Sequence, residues 1–180
     1  MHHVYRIALF CLSISGAATL VGTASHADHP IVVRPSPDIR ADAQTVDQIV
    51  KTFDRVQAAM DAKDLKGLMA NYSDHYNHGG LTKKDLEKFW KDIFARYNRI
   101  LGHHIFTKIV VLPGKEREAM VTCTGALWAT IAEKGKRQPL DSWFEEEHHL
   151  VYEDRSWRLI GAGPEAGRLP EFGTAPHPPF

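Results

Sequence analysis

The hydrophobic period of this chain changes once, at Gly102, and that change limits the folds open to it. Before Gly102, apolar residues recur every three or four positions; after it they recur at every second position. The first spacing marks a helix with one buried face, and the second a strand with one buried face. Helices gathered ahead of consecutive strands define an α+β chain, because an α/β chain would alternate the two.

Three helices are expected. Val46, Ile49, Val50, Phe53, Val56 and Met60 share one helical face, and Thr45 with Gln48 has the spacing of a capping box that opens it. Asp64 opens a shorter helix whose inward residues are Leu65, Leu68, Met69 and Tyr72. Thr82 caps a third, with an aromatic stripe of Leu86, Phe89, Trp90, Ile93, Phe94 and Tyr97 that reads as core. Strands are then expected over residues 103–112, 117–132, 142–152 and 157–160, with Gly125 marking a bulge or bend. Short connections between them predict an antiparallel sheet.

The ends differ from this body. Residues 7–21 are a nearly unbroken apolar and small-residue run behind Arg6, followed by Ser25-His26-Ala27. Fifteen residues are short for roughly 30 Å of hydrocarbon, so residues 1–27 read as a signal peptide with a mature start near Asp28. A secreted or periplasmic protein is expected, without a membrane segment once the leader is gone. Residues 28–44, with Pro30, Pro35 and Pro37, read as a linker with a short edge strand at Ile31-Val32-Val33. Residues 45–163 form the domain, and residues 164–180 a Pro/Gly-rich tail.

Charge and cysteine content narrow the function classes. The 22 basic and 22 acidic residues cancel, and losing Arg6 leaves 21 against 22. Such a chain has no basic stripe for nucleic acid. Of two cysteines only Cys123 lies beyond the leader, so no internal disulfide is available.

The densest polar segment is residues 72–80, Tyr-Ser-Asp-His-Tyr-Asn-His-Gly-Gly. Gly79 and Gly80 permit a sharp reversal, which would turn several of these side chains toward one place.

The overall pattern resembles the nuclear transport factor 2-like (NTF2-like) superfamily, which includes ketosteroid isomerase-like and polyketide cyclase-like (SnoaL-like) proteins. The resemblance rests on Met60-Asp-Ala-Lys-Asp-Leu65, on Leu68-Met-Ala-Asn-Tyr-Ser-Asp74, and on the closing hairpin of residues 150–160. It implies three N-terminal helices packed on a curved antiparallel sheet, a cone-shaped barrel with a pocket between helices and sheet, and a homodimer. Ketosteroid isomerase-like enzymes place a catalytic Asp further beyond the Tyr than this loop allows; His78 falls nearest that position, so that role does not carry over.

Candidate site residues follow from which faces turn inward. On the strand at 142–152, the more apolar register presents Phe144, Glu146, His148, Leu150 and Tyr152 to the interior. Asp74, His78 and His148, with Glu146, are the candidates for acid/base work, since a carboxylate beside an imidazole is suited to moving protons. Tyr72, Tyr76, Trp90, Trp128, Phe144 and Glu146 are the candidate ligand-binding residues, with Trp128 a possible wall for a flat ligand. His103-His104 and His148-His149 each offer one ligand per side of a strand, and no His-Glu-x-x-His or Cys-x-x-Cys spacing occurs. No metal and no cofactor is expected, and Cys123 reads as a buried hydrophobe. The expected function is binding of a small, largely apolar molecule; the alternatives are a metal-free isomerase, dehydratase or cyclase, and a dimerising interaction module.

Overall fold

The computed structural model describes residues 30–114, 117–131 and 135–166. The expected signal peptide and most of the expected C-terminal tail lie outside them. Two short strands come first, β1 (Ile31–Val33) and β2 (Ile39–Arg40), followed by α1 (Ala43–Ala62) and α2 (Leu65–Met69). A small hairpin, β3 (Asn77–His78) and β4 (Leu81–Thr82), leads into α3 (Lys83–Arg96). The sheet is completed by β5 (Tyr97–Leu112), β6 (Glu118–Ile131), β7 (Arg137–Glu153) and β8 (Ser156–Leu159). Among the described residues no helix is long and apolar enough to cross a membrane.

The fold is α+β, with the helices against a large, mostly antiparallel sheet of order β1-β5-β6-β7-β8. Two departures from a purely antiparallel sheet are found: β1 and β2 both pair with β5 in parallel. The proline-containing segment ahead of α1 is therefore tied to the sheet edge, with Ile31 buried.

Helix boundaries follow local capping chemistry. Helix α1 begins earlier than the Thr45–Gln48 spacing implies, because Asp42 is its N-cap and accepts from the Thr45 backbone N–H at 2.8 Å. The Thr45 hydroxyl instead donates to the second oxygen of Asp42, also at 2.8 Å. Asp64 and Thr82 cap α2 and α3, the latter in a reciprocal box with Asp85. Ile49, Phe53, Val56 and Met60 of α1 are all buried, and each such side chain contributes roughly 1.5–3 kcal/mol of transfer free energy.

Strand β7 does not keep a single register. Cys123 of β6 pairs with Glu146, but Gly125 pairs with Trp143, so β7 carries one extra residue there. Glu145 takes it up in the left-handed region, φ 53°. One inserted residue exchanges the two faces of a strand. His148 and Leu150 point inward as expected, but on the other side of the bulge the buried residues are Asp141 and Trp143. Phe144, expected inside, is 74% exposed, and Glu146 is exposed as well.

Candidate functional site

Three consecutive long strands converge on the concave side beneath α1. β5 places His104 there, β6 places Cys123, and β7 places His148, with 3%, 0% and 1% of their surfaces exposed. One ligand-capable atom from each lies within 4.8 Å of the other two. Cys123 Sγ is 3.4 Å from His104 Nδ1, a contact whose direction depends on the imidazole tautomer. Trp143 Nε1 donates to the same sulfur at 3.3 Å. The walls are aromatic: Phe53 of α1 meets His104 and His148 edge-on at 5.3 and 5.6 Å between centroids, and Phe106 meets Phe53 at 4.8 Å.

The electrostatics of this cluster follow from burial. Loss of water raises the Cys123 thiol to about 11, with the Trp143 N–H acting in the opposite direction. The thiol is therefore protonated at neutral pH. Chemically, two imidazoles and a thiol in an apolar shell can accept or pass a proton, hydrogen-bond a polar group, or ligate a cation.

A second aromatic group lies beneath α3. Tyr72, Tyr76 and Trp90 are all buried, and the two tyrosine rings stand 5.5 Å apart. Burial is the main cause that raises both phenols; for Tyr72 the neighbouring Tyr76 adds to it and the Trp90 N–H opposes it. The Tyr76 hydroxyl meets no hydrogen-bond partner among the described residues. These three candidates from the sequence are thus brought together.

The other candidates are dispersed. Residues 72–80 are stitched by backbone bonds to the end of β8, with Ser73 N–H donating to the Leu159 carbonyl and Asn77 N–H to that of Ile160, both at 2.9 Å. Gly79 and Gly80, at φ 57° and 90°, make the expected reversal between β3 and β4. Yet Asp74 points away from the interior, its side chain 86% exposed and paired with Lys83 Nζ at 2.7 Å. That cation, as hydrogen-bond donor and as charge, holds the Asp74 carboxyl below the usual range. His78 lies on β3, where its Nδ1 faces the Ala162 N–H at 3.4 Å. Among the described residues, neither belongs to the cluster of His104, Cys123 and His148. Trp128 is on the outer face of the sheet, under the Arg137 guanidinium at 4.9 Å. There it lines an open depression of about 500 Å³ together with Leu101, His103, Ile105 and Gly125.

Reasoning along the sequence missed His104, Cys123 and Trp143. The signal was present in the alternation: Ile100, His104 and Phe106 share one face of β5, and Ala119, Val121 and Cys123 share one face of β6.

No family model and no curated protein sequence matches this chain. Solved structures do match. A conserved protein from Planctomyces limnophilus superposes with a TM-score of 0.57 at 15% identity, over 67% of this chain and 94% of that one. A candidate scytalone dehydratase from Novosphingobium aromaticivorans gives 0.53 at 13%, over 66% and 80%. A candidate dehydratase of the NTF2-like family from Streptomyces avermitilis gives 0.50 at 14%, over 67% and 95%. The chain has the NTF2-like fold.

Proposed function

We propose that this chain is a small-molecule-binding NTF2-like domain whose site is the buried cluster between α1 and the sheet, opened when a ligand enters. One observation carries the reading: three titratable side chains, His104, Cys123 and His148, are buried together inside an aromatic shell. Burying polar groups among apolar ones is costly, and a core that only needed filling would use hydrophobes. The ligand is apolar over most of its surface, packs on Phe53, Phe106 and Trp143, and presents one polar group to the imidazoles. Binding requires Phe53 to turn aside, since its ring lies against both imidazoles.

A second reading is an acid/base enzyme. It is favoured by the spacing of the two imidazole rings, 6.3 Å between centroids, and by the dehydratase descriptions of two similar structures. One imidazole would then accept a proton from the substrate and the other return one to a leaving hydroxyl.

A small-molecule library screened by thermal shift on the wild type and on His148→Gln tests both. Ligand at about 100 times its dissociation constant stabilises by roughly 2.7 kcal/mol, an easily read shift. Interior ligands should lose their shifts in the variant. Ligands that protect both proteins equally would place binding elsewhere and overturn the proposal. Turnover of a bound compound, abolished by His148→Gln, would select the enzyme reading.

A further inference from the structure

We propose that His104, Cys123 and His148 form a binding site for one thiophilic transition-metal ion of the zinc or copper(I) class. The inference deepens the reading of this cluster as the functional centre, but it does not depend on a small-molecule ligand. It also reverses the expectation drawn from spacing along the sequence. That expectation counted ligands within one strand, whereas these three come from adjacent strands, one inward residue each.

Geometry is the first argument. Zinc bonds of about 2.3 Å to sulfur and 2.0–2.1 Å to nitrogen put two tetrahedral ligands about 3.5 Å apart. Cys123 Sγ and His104 Nδ1 are 3.4 Å apart, and all three ligand atoms lie within 4.8 Å of one another. The torsion that turns an imidazole about its Cβ–Cγ bond is broad, so a modest rotation of His148 closes the set further. Nε2 of His104 is turned toward Gly102, and Nδ1 is the nitrogen that faces Cys123 Sγ, which makes Nδ1 the ligating atom.

The surroundings are the second argument. Metal-bound sulfur is commonly stabilised by an N–H donor outside the coordination sphere, and Trp143 Nε1 already donates to Cys123 Sγ at 3.3 Å. Phe53 and Phe106 keep water from the cluster and so strengthen the attraction between an ion and a thiolate. A thiolate with two imidazoles suits zinc and copper(I) and disfavours magnesium or calcium, which take oxygen ligands. The proton balance is simple: the ion replaces the Cys123 thiol proton, which leaves to solvent, and both imidazoles bind in the neutral form.

The test uses full-length protein, reduced and stripped with chelator, then titrated with cobalt(II), with zinc(II) in competition, and separately with copper(I) without oxygen. Expected results are one ion per chain, a thiolate-to-cobalt charge-transfer band that zinc abolishes, and one proton released per ion. Cys123→Ser should abolish the band, and His104→Gln or His148→Gln should weaken binding at least tenfold. His103→Gln with His149→Gln, the neighbours in each doublet, should leave it unchanged. Circular dichroism checks that each variant folds; if Cys123→Ser does not, the wild-type band and the histidine variants decide. No charge-transfer band in folded wild type, or binding that survives Cys123→Ser and disappears with the outer histidines, would overturn the site. Metal binding without interior ligands in the library screen would remove the small-molecule reading alone, and the converse would remove this one alone.

Discussion

Trp143 reaches along β6 to Cys123 because its cross-strand partner there, Gly125, has no side chain. The indole donates to the sulfur at 3.3 Å. A Cβ on Gly125 would stand 2.7 Å from Trp143 Cε2 and would also meet the His103 backbone carbonyl. Trp143 faces inward only because of the extra residue at Glu145. A bulge and a glycine on neighbouring strands therefore set the position of one donor.

Gly125→Ala should cost about 1–3 kcal/mol, the usual range for overpacking a filled core. Because one obstacle is backbone, rearranging Trp143 alone will not relieve it. Urea denaturation gives the cost, and near-ultraviolet circular dichroism reports the tryptophan environment. A variant as stable as wild type with an unchanged spectrum would show that the indole does not occupy this gap.

The same bulge explains what the sequence disclosed. The fold was legible because period, caps and turns agree: Thr82 and Asp64 cap their helices, and Asp154 and Arg155, both at positive φ, form the tight turn before β8. The site was only partly legible. Alternation identifies an inward face only until a residue is inserted, so His148 could be placed correctly while Phe144 and Glu146 could not. Tyr72, Tyr76 and Trp90 fell on helical or loop positions with clear apolar neighbours. The cluster at Cys123 needed cross-strand register, which no single-strand pattern contains.

Asp74→Asn should change neither the thermal midpoint nor any ligand-induced shift. The carboxylate is 86% exposed and its pairing with Lys83 is screened by solvent. His78→Ala should likewise spare interior ligands, since its Nδ1 faces the Ala162 backbone N–H at the edge of the loop. Ligand shifts lost in either variant, with the fold intact, would restore residues 72–80 as the polar end of a pocket.

Tyr76→Phe should raise stability by about 1 kcal/mol. The hydroxyl is buried without a partner among the described residues, and leaving such a group unsatisfied costs about 1–3 kcal/mol, which phenylalanine avoids in the same shape. Chemical denaturation measures this directly. Should the variant prove less stable than wild type, the hydroxyl has a partner in solution and belongs to a hydrogen-bonded network with Tyr72.

Cys123 should give metal-free protein an alkaline loss of stability. Its thiol is raised from 9.0 to about 11 by burial, so in the window between those values the unfolded chain has released a proton that the folded chain still holds. Stability therefore falls as pH rises. The contribution is complete below pH 9 and is lost as pH passes through about 11, at most about 2–3 kcal/mol for a shift of this size. Tyr72 and Tyr76, also raised by burial, add a loss at higher pH in any variant, so the informative quantity is a difference. Cys123→Ala should be less stable than wild type at pH 7, and the gap should narrow between pH 9 and pH 11. Unfolding curves for both proteins across that window measure it. Parallel curves would mean that the thiol titrates alike in folded and unfolded chains and is open to water.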